Sequence, residues 1–340
     1  MSSSSPVYDS PSGGVASGGL PSSGSPAPLK NGGDTAIMMW SLVKTLALAC
    51  LLQFATTGAH AADLEEVYDA GYHGNDTVAL RIANGGAGQS GLIRELANAF
   101  IKFRVDHGAE PFRVAWVKSD TTESINNLQS GAADVAFTYS PVAEDLAIEE
   151  GIALRPSYYA WRDHFMLIGP RSNPAKLNKK DKILKMISDI YKAAEHGTTD
   201  PPTRFLTRFD KSATNIKDSS LFIGIGQVPW ATPAAKWYHQ YIAYPIQALH
   251  AASMLEEYTI TDRGTFLSVS QEIRDNIVIY KEGSDHADDP LLNPAHLLIG
   301  AQAQDLQLAK EFAKWVVGSR GQKVILAFKK GGKQLYTGAP

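Results

Sequence analysis

The chain has almost no cysteine: Cys50 is the single thiol among 340 residues. One sulfur cannot build a disulfide framework or a zinc cluster, and Cys50 sits in an apolar stretch that reads as a removable leader. What remains, roughly 280 residues, must be held by ordinary apolar cores, which two domains of that total size can supply. An excess of either charge is missing as well. Lys and Arg number 32 and Asp and Glu 35, scattered without long runs, for a net charge of −3, which argues against nucleic acid or a membrane surface as partner. Catalytic signatures are absent too: no Gly-x-Ser-x-Gly elbow, His-Glu-x-x-His pair, phosphate loop or nicotinamide fingerprint occurs. His73, His107, His196 and His286 lie in loop-like text and read as solvated, and Asp262-Arg263 reads as a buried or interlobe ion pair at least as readily as a site. Neither a cofactor nor a metal is expected.

Residues 1–38 form a leader that is mostly Ser, Gly, Pro and Ala, too poor in large apolar side chains to offset the entropy of ordering. Met39 to Lys44 is a short basic start, Thr45 to Phe54 an apolar run, and Ala59-His60-Ala61 a small-x-small cleavage site, so 39–61 reads as a signal peptide. Such signals open a translated chain, which points to Met38 or Met39 as the true start. The mature protein is expected to be secreted and monomeric, and free of the membrane after cleavage. The competing reading is a signal anchor, against which Lys44 interrupts the run where spanning takes about 20 apolar residues. Asn75-Asp76-Thr77 is a glycosylation sequon just ahead of the first strand.

From there, strand and helix patterns alternate. Val78 to Ala83 alternates like a strand, Asn84-Gly85-Gly86-Ala87-Gly88 breaks it, and Leu92, Ile93, Leu96, Phe100 and Phe103 recur at helical spacing. A glycine loop feeding a helix start can bring backbone N–H groups against an anion, so Gly85, Gly86, Gly88, Gln89 and Ser90 are candidate donors; a plain tight turn is the alternative. Phe112 to Val117 is a second strand. Ser119 to Ser124 then starts a helix, with Asp120 or Thr121 as its cap and the remaining hydroxyls, including Thr122, free to face a cleft. Asp134 to Tyr139 is a third strand, and Pro141 after Ser140 marks another helix start, leaving Tyr139 and Ser140 at a cleft mouth. A new unit begins with the apolar strand His164 to Pro170. Trp230, Trp237, Tyr238, Tyr241 and Tyr244 crowd one region, either as an aromatic core or as a pocket wall.

The stretch Thr207-Arg208-Phe209-Asp210-Lys211-Ser212-Ala213-Thr214-Asn215, ahead of a helical pattern from Ile216 to Ile225, combines a planar fork of donors, two hydroxyls and unpaired N–H groups at a helix start. That set describes an oxyanion seat, with Arg208, Ser212 and Thr214 as ligands. The bland alternative is a capped polar loop in which Arg208 pairs with Asp210. The same stretch resembles the Ser-Arg-Gly-Asp-x-Ser-Gly-Thr-His motif of extracellular tungstate-binding proteins of the TupA type. Tyr258-Thr259-Ile260-Thr261-Asp262-Arg263-Gly264-Thr265-Phe266 is similar, almost letter for letter, to that family's Tyr-Thr-Leu-Thr-Asp-Arg-Gly-Thr-Tyr. Leu291-Leu292-Asn293-Pro294 and Gly321 to Ile325 match in the family's order, so the resemblance runs from about Thr77 to the C-terminus.

The resemblance implies an α/β, two-lobed periplasmic-binding-protein-like (type II) fold, each lobe a mostly parallel sheet flanked by helices, with a ligand cleft between them. Lobe 1 is expected at 76–164 and 291–340 and lobe 2 at 165–290. Two crossings then bring strand ends of both lobes around one crevice, where open α/β sheets bind ligands. The candidate ligand set read from these loops is Arg208, Ser212, Thr214, Thr121, Thr122, Ser140, Tyr139, Gly86 and Ser90, and the partner that the resemblance implies is a small oxyanion such as tungstate or molybdate. Against the family's pattern, Asn84 to Ala87 replaces a run of hydroxyls, Tyr139 and Asn215 replace histidines, and Phe209 and Ala213 replace glycines. A small organic acid is therefore the alternative ligand, and an enzyme on the same fold the alternative class.

Overall fold

The computed structural model describes residues 64–73, 76–233 and 235–340. The leader, the signal segment 39–61 and Asn75 of the sequon lie outside the described residues.

The first lobe is built from β1 (Leu64–Tyr68), β2 (Val78–Asn84), β3 (Arg113–Lys118) and β4 (Val135–Thr138), with helices α1 (Gly86–Ser90), α2 (Leu92–Asp106), α3 (Thr121–Gln129) and α4 (Pro141–Glu149). α2 forms where the apolar spacing requires it, and Leu92, Ile93, Leu96 and Phe100 are fully buried. α3 begins at a capping box in which Asp120 accepts from the Glu123 N–H at 2.8 Å while Glu123 accepts from the Asp120 N–H. The chain then enters β5 (Ala153–Pro170), an 18-residue strand that passes from one lobe into the other. The second lobe carries α5 (Ile183–His196), β6 (Phe205–Thr207), α6 (Ala213–Gly224), β7 (Tyr238–Gln240), α7 (Pro245–Met254), β8 (Tyr258–Asp262), the short helices α8 (Arg263–Ser268) and α9 (Gln271–Asn276), and β9 (Ile277–Glu282). β10 (Leu292–Gly300) returns to the first lobe, where α10 (Leu306–Val317) and α11 (Ser319–Ala327) pack.

The strand order is β1-β3-β2-β4-β10-β5-β8-β6-β7. Pairing is parallel at β3-β2-β4 and at β7-β6-β8, as expected for strand-helix-strand units. Everywhere else it is antiparallel, so the sheets are mixed rather than mostly parallel. The cause is the crossing strands: β10 returns along β5, and β8 and β9 also pair with β5 in the opposite sense. Two large apolar cores result, with smaller clusters beside them. One gathers Phe100, Phe137, Trp161 and Phe312 against β2 and α2, with Phe137 and Trp161 ring centres 4.6 Å apart. The other gathers Met186, Ile190, Phe205, Phe222 and Trp237. Fully burying side chains of this kind contributes about 1.5–3 kcal/mol each.

Two expected boundaries move for local reasons. The helix expected from Ile216 begins at Ala213, because Ser212 caps it by accepting from the Asn215 N–H at 3.3 Å. α7 stops at Met254, before Glu256 turns left-handed at φ 55°. The strand expected from His164 starts at Ala153, hidden in the sequence by Pro156 and by Arg155, Arg162 and Asp163.

Gly88 packs so tightly that an added Cβ would lie 2.1 Å from the Trp116 ring, whose Nε1 is itself fixed by donating to the Asn84 carbonyl at 2.7 Å. Gly88→Ala is expected to cost about 1–3 kcal/mol by overpacking. Gly86→Ala, which meets nothing within 4 Å, should stay within about 0.5 kcal/mol of wild type. Urea unfolding of both variants checks this pair.

Candidate functional site

A cavity of about 60 Å³ lies where the lobes face each other. Its wall is made largely of helix beginnings: Gly85 and Gly86 at α1, Asp120 and Thr121 at α3, Ser212, Ala213 and Thr214 at α6, Tyr244 and Pro245 at α7, and Asp262 at α8. Each helix start directs unpaired N–H groups and the positive end of its dipole outward from its first turn. Asp163 on β5 and Asn293 on β10, paired in register, also line the cavity where the two strands cross between lobes.

In the second lobe, Arg208 is buried and lines the cavity. Its Nε donates to the Ala243 carbonyl at 3.0 Å and its Nη2 is paired with Asp210. The expected loop pairing is thus present, and it holds the guanidinium at the cavity rather than removing it. Asp210 in turn accepts from the Ser212 N–H at 3.1 Å. Ser212 and Thr214 are buried and line the cavity, and Ser212 accepts a capping bond while its hydroxyl proton remains available to donate. The loop is bent by left-handed residues at Phe209 and Lys211, φ 50° and 63°. Non-glycine residues there carry about 1–2 kcal/mol of strain each, of the kind found at binding loops.

In the first lobe Gly86, Thr121 and Tyr139 line the cavity together with Gly85, Gln89 and Ser119. Four other candidates are directed elsewhere. The Gly88 N–H donates to Asn84 Oδ1 at 2.8 Å, and Ser90 Oγ donates to the Ala87 carbonyl and bonds Tyr336 Oη at 2.9 Å. The Ser140 N–H donates to Glu144 Oε1. Thr122 faces outward and donates to the Lys211 carbonyl at 3.2 Å, a bond that bridges the lobes. Helical geometry separates Thr121 from Thr122: neighbours on a helix point about 100° apart.

Asp163, Asn293 and Phe165 were not singled out from the sequence as cavity residues, and Tyr244 was named only within an aromatic group that could be core or pocket wall. A usable signal existed for Tyr244, since Pro245 marks a helix start, whereas nothing local marks Asp163. The expected Asp262–Arg263 ion pair is not formed. Arg263 bonds Glu282 at 2.7 Å, while Asp262 caps α8, accepting from Thr265 N–H at 2.8 Å and Thr265 Oγ1 at 2.6 Å. Of the aromatic group, Trp237 and Tyr238 belong to the second-lobe core; Tyr244 alone of the five lines the cavity, with Lys118 Nζ 4.7 Å from its ring centre.

Burial, followed by the nearby Asp262, pushes the Asp163 carboxyl well above the usual carboxylate range. Desolvation, followed by the Asp163 charge, raises the Tyr139 phenol. Beneath the Arg208 loop, Asp218 accepts from Thr207 Oγ1 at 2.7 Å and from Asn215 Nδ2, and burial pushes it up to about 7.

A PBP superfamily domain matches residues 70–320, a span that holds every residue lining the cavity. The chain belongs to the PBP superfamily. Within it, a crystal structure of a candidate periplasmic metal-binding protein is 62% identical, covering 81% of this chain and 99% of its own, with a TM-score of 0.77. The tungstate-binding protein TupA of Peptoclostridium acidaminophilum is 26% identical over 89% of this chain and 97% of its own length. The TupA structure from Desulfovibrio alaskensis G20 shares the fold at a TM-score of 0.62 and 24% identity, covering 78% of this chain and 100% of its own. In this PBP chain the cavity lies between the lobes, as the expected two-lobed architecture requires.

The raised carboxyls make stability depend on pH. Asp218 and Asp163 keep their protons in the folded state after the unfolded chain has released them near pH 4, so the stability contributed by these two groups is greatest below that point. That contribution should fall as pH rises to about 7 for Asp218, by up to about 1.4 kcal/mol per unit for each such group. Asp218→Asn and Asp163→Asn should each flatten the curve of urea midpoint against pH.

Proposed function

We propose that this chain is an exported solute-binding protein that takes a small tetrahedral oxyanion of the tungstate or molybdate kind between its lobes. The observation that carries the reading is the cavity at the meeting of helix starts, with Arg208 on its wall. Its volume of about 60 Å³ accommodates roughly four to six water-sized groups, the scale of a central atom with four oxygens. The N–H of Gly86 and the hydroxyls of Thr121, Ser212 and Thr214 supply donors, while the carboxylates of Asp120 and Asp262 are engaged as helix caps. Tungstate and molybdate are oxyanions of metals, so the reading accommodates both the relative named for tungstate and the structure named for metal binding. The lobes in this reading are 76–164 with 291–340, and 165–290, closing over the ligand as a monomer. Export follows from the signal segment, with cleavage near Ala61.

A small carboxylate is the second reading, favoured by Phe137, Phe165, Tyr139 and Pro245, which give part of the wall an apolar face. Calorimetry with tungstate, molybdate, sulfate, phosphate and acetate separates the two. Tungstate or molybdate should bind most tightly, and Arg208→Ala should weaken binding by roughly 10- to 150-fold, the loss of one buried charge-assisted hydrogen bond at about 1.5–3 kcal/mol. Binding of no oxyanion, or equal binding by wild type and Arg208→Ala, would overturn the proposal. Arg208→Lys keeps a cation at Asp210 and controls for loss of the loop.

A further inference from the structure

We propose that Asp163 meets the bound oxyanion as a neutral carboxylic acid, donating its proton in a hydrogen bond to an anion oxygen, so that anion capture is linked to a proton held where the strands cross. The inference rests on the oxyanion reading and deepens it.

Asp163 is 4% exposed and lines the cavity. Its Oδ1 accepts from the His164 N–H at 2.7 Å, but its Oδ2 has only a long 3.4 Å contact with Asn293 Nδ2. Among the described residues no basic side chain forms an ion pair with it. Nearby Arg263 is bonded to Glu282, and the His164 ring to Asp285 at 2.9 Å. From the opposite lobe Asp262 lines the same cavity, and two carboxylates so placed cannot both ionise cheaply. Asp262 already accepts two hydrogen bonds from Thr265, whereas Oδ2 of Asp163 lacks a close donor, so of the two Asp163 is the one placed to carry a proton toward the cavity. The phenols of Tyr139 and Tyr336, on the first-lobe side, are held neutral by burial and supply no counter-charge.

An ionised Asp163 would repel an anion across the cavity, whereas the acid form presents one more donor. Burial and Asp262 favour the acid form even before the anion arrives, and a bound anion favours it further, because proton and anion stabilise each other's binding reciprocally. The sign follows: affinity is full while Asp163 is protonated and declines about tenfold per pH unit once the free protein releases that proton.

The test uses the mature chain with tungstate as probe. Infrared difference spectra between wild type and Asp163→Asn, with tungstate bound at neutral pH, should show a protonated-carboxyl C=O band in wild type that shifts in heavy water and is missing from the variant. Asp163→Asn keeps a neutral donor and should bind tungstate within about threefold of wild type, while Asp163→Ala, which lacks it, should lose about tenfold or more. Between about pH 6.5 and 9.5 wild-type affinity should weaken at least as much as that of Asp163→Asn. Wild-type binding without the carboxyl band, a loss of more than about thirtyfold in Asp163→Asn, or wild-type affinity that rises with pH relative to the variant would each overturn the proposal while leaving the oxyanion reading intact. Failure of wild type to bind any oxyanion across the same range would remove both.

Discussion

The pairing of β5 with β10 is the constraint on which the other features depend. These two strands run side by side from Ala153 and Gly300 to His164 and Leu292, and β5 then continues into the second lobe to pair with β8 and β9. Because each sheet lends its hydrogen bonds to the same strand, the lobes share a backbone at the point where they diverge. Asp163 and Asn293 sit opposite each other at that point, which places polar side chains at the base of a crevice that the surrounding apolar cores could not otherwise hydrate. A buried carboxyl is tolerated there because its proton can be retained.

Around that base the cavity acquires its character from backbone more than from side-chain charge. Helices α1 and α3 from one lobe, and α6, α7 and α8 from the other, begin at the wall. Their starts each present the positive end of a dipole, and in a small, partly enclosed volume such fixed dipoles act more strongly than they would in water. The side chains mostly tune this field. Asp120 and Asp262 complete helix ends, Asp210 holds the Arg208 guanidinium in place, and Ser212 and Thr121 add hydroxyls to the wall. Left-handed Phe209 and Lys211 bend the loop that carries Arg208 to the wall.

Much of this was legible because it is local. Alternation over Val78 to Ala83, the apolar spacing of α2, proline at the first position of α4, and small polar residues before α3 and α6 all encode structure within a window of a dozen residues. The motif around Arg208 was legible for the same reason: the fork, the hydroxyls and the helix start are contiguous in the chain. Ser90 and Ser140 show the limit. Their types suit a binding loop, yet Ser90 is bonded to Tyr336, 246 residues away in sequence, and the Ser140 backbone is bound by Glu144 one turn ahead.

By itself the sequence determined that the chain alternates strands and helices, that helix starts carry small polar residues after several strands, and that one arginine stands at such a start, since each of these depends only on near neighbours. Tertiary structure alone decided which of those starts converge, that Thr121 turns inward while Thr122 bridges the lobes, and that Asp163 stands against Asp262. Those outcomes depend on strand register and on how far water is excluded where β5 and β10 cross, and neither burial nor the distance between residues about a hundred positions apart is a property of any local stretch of chain.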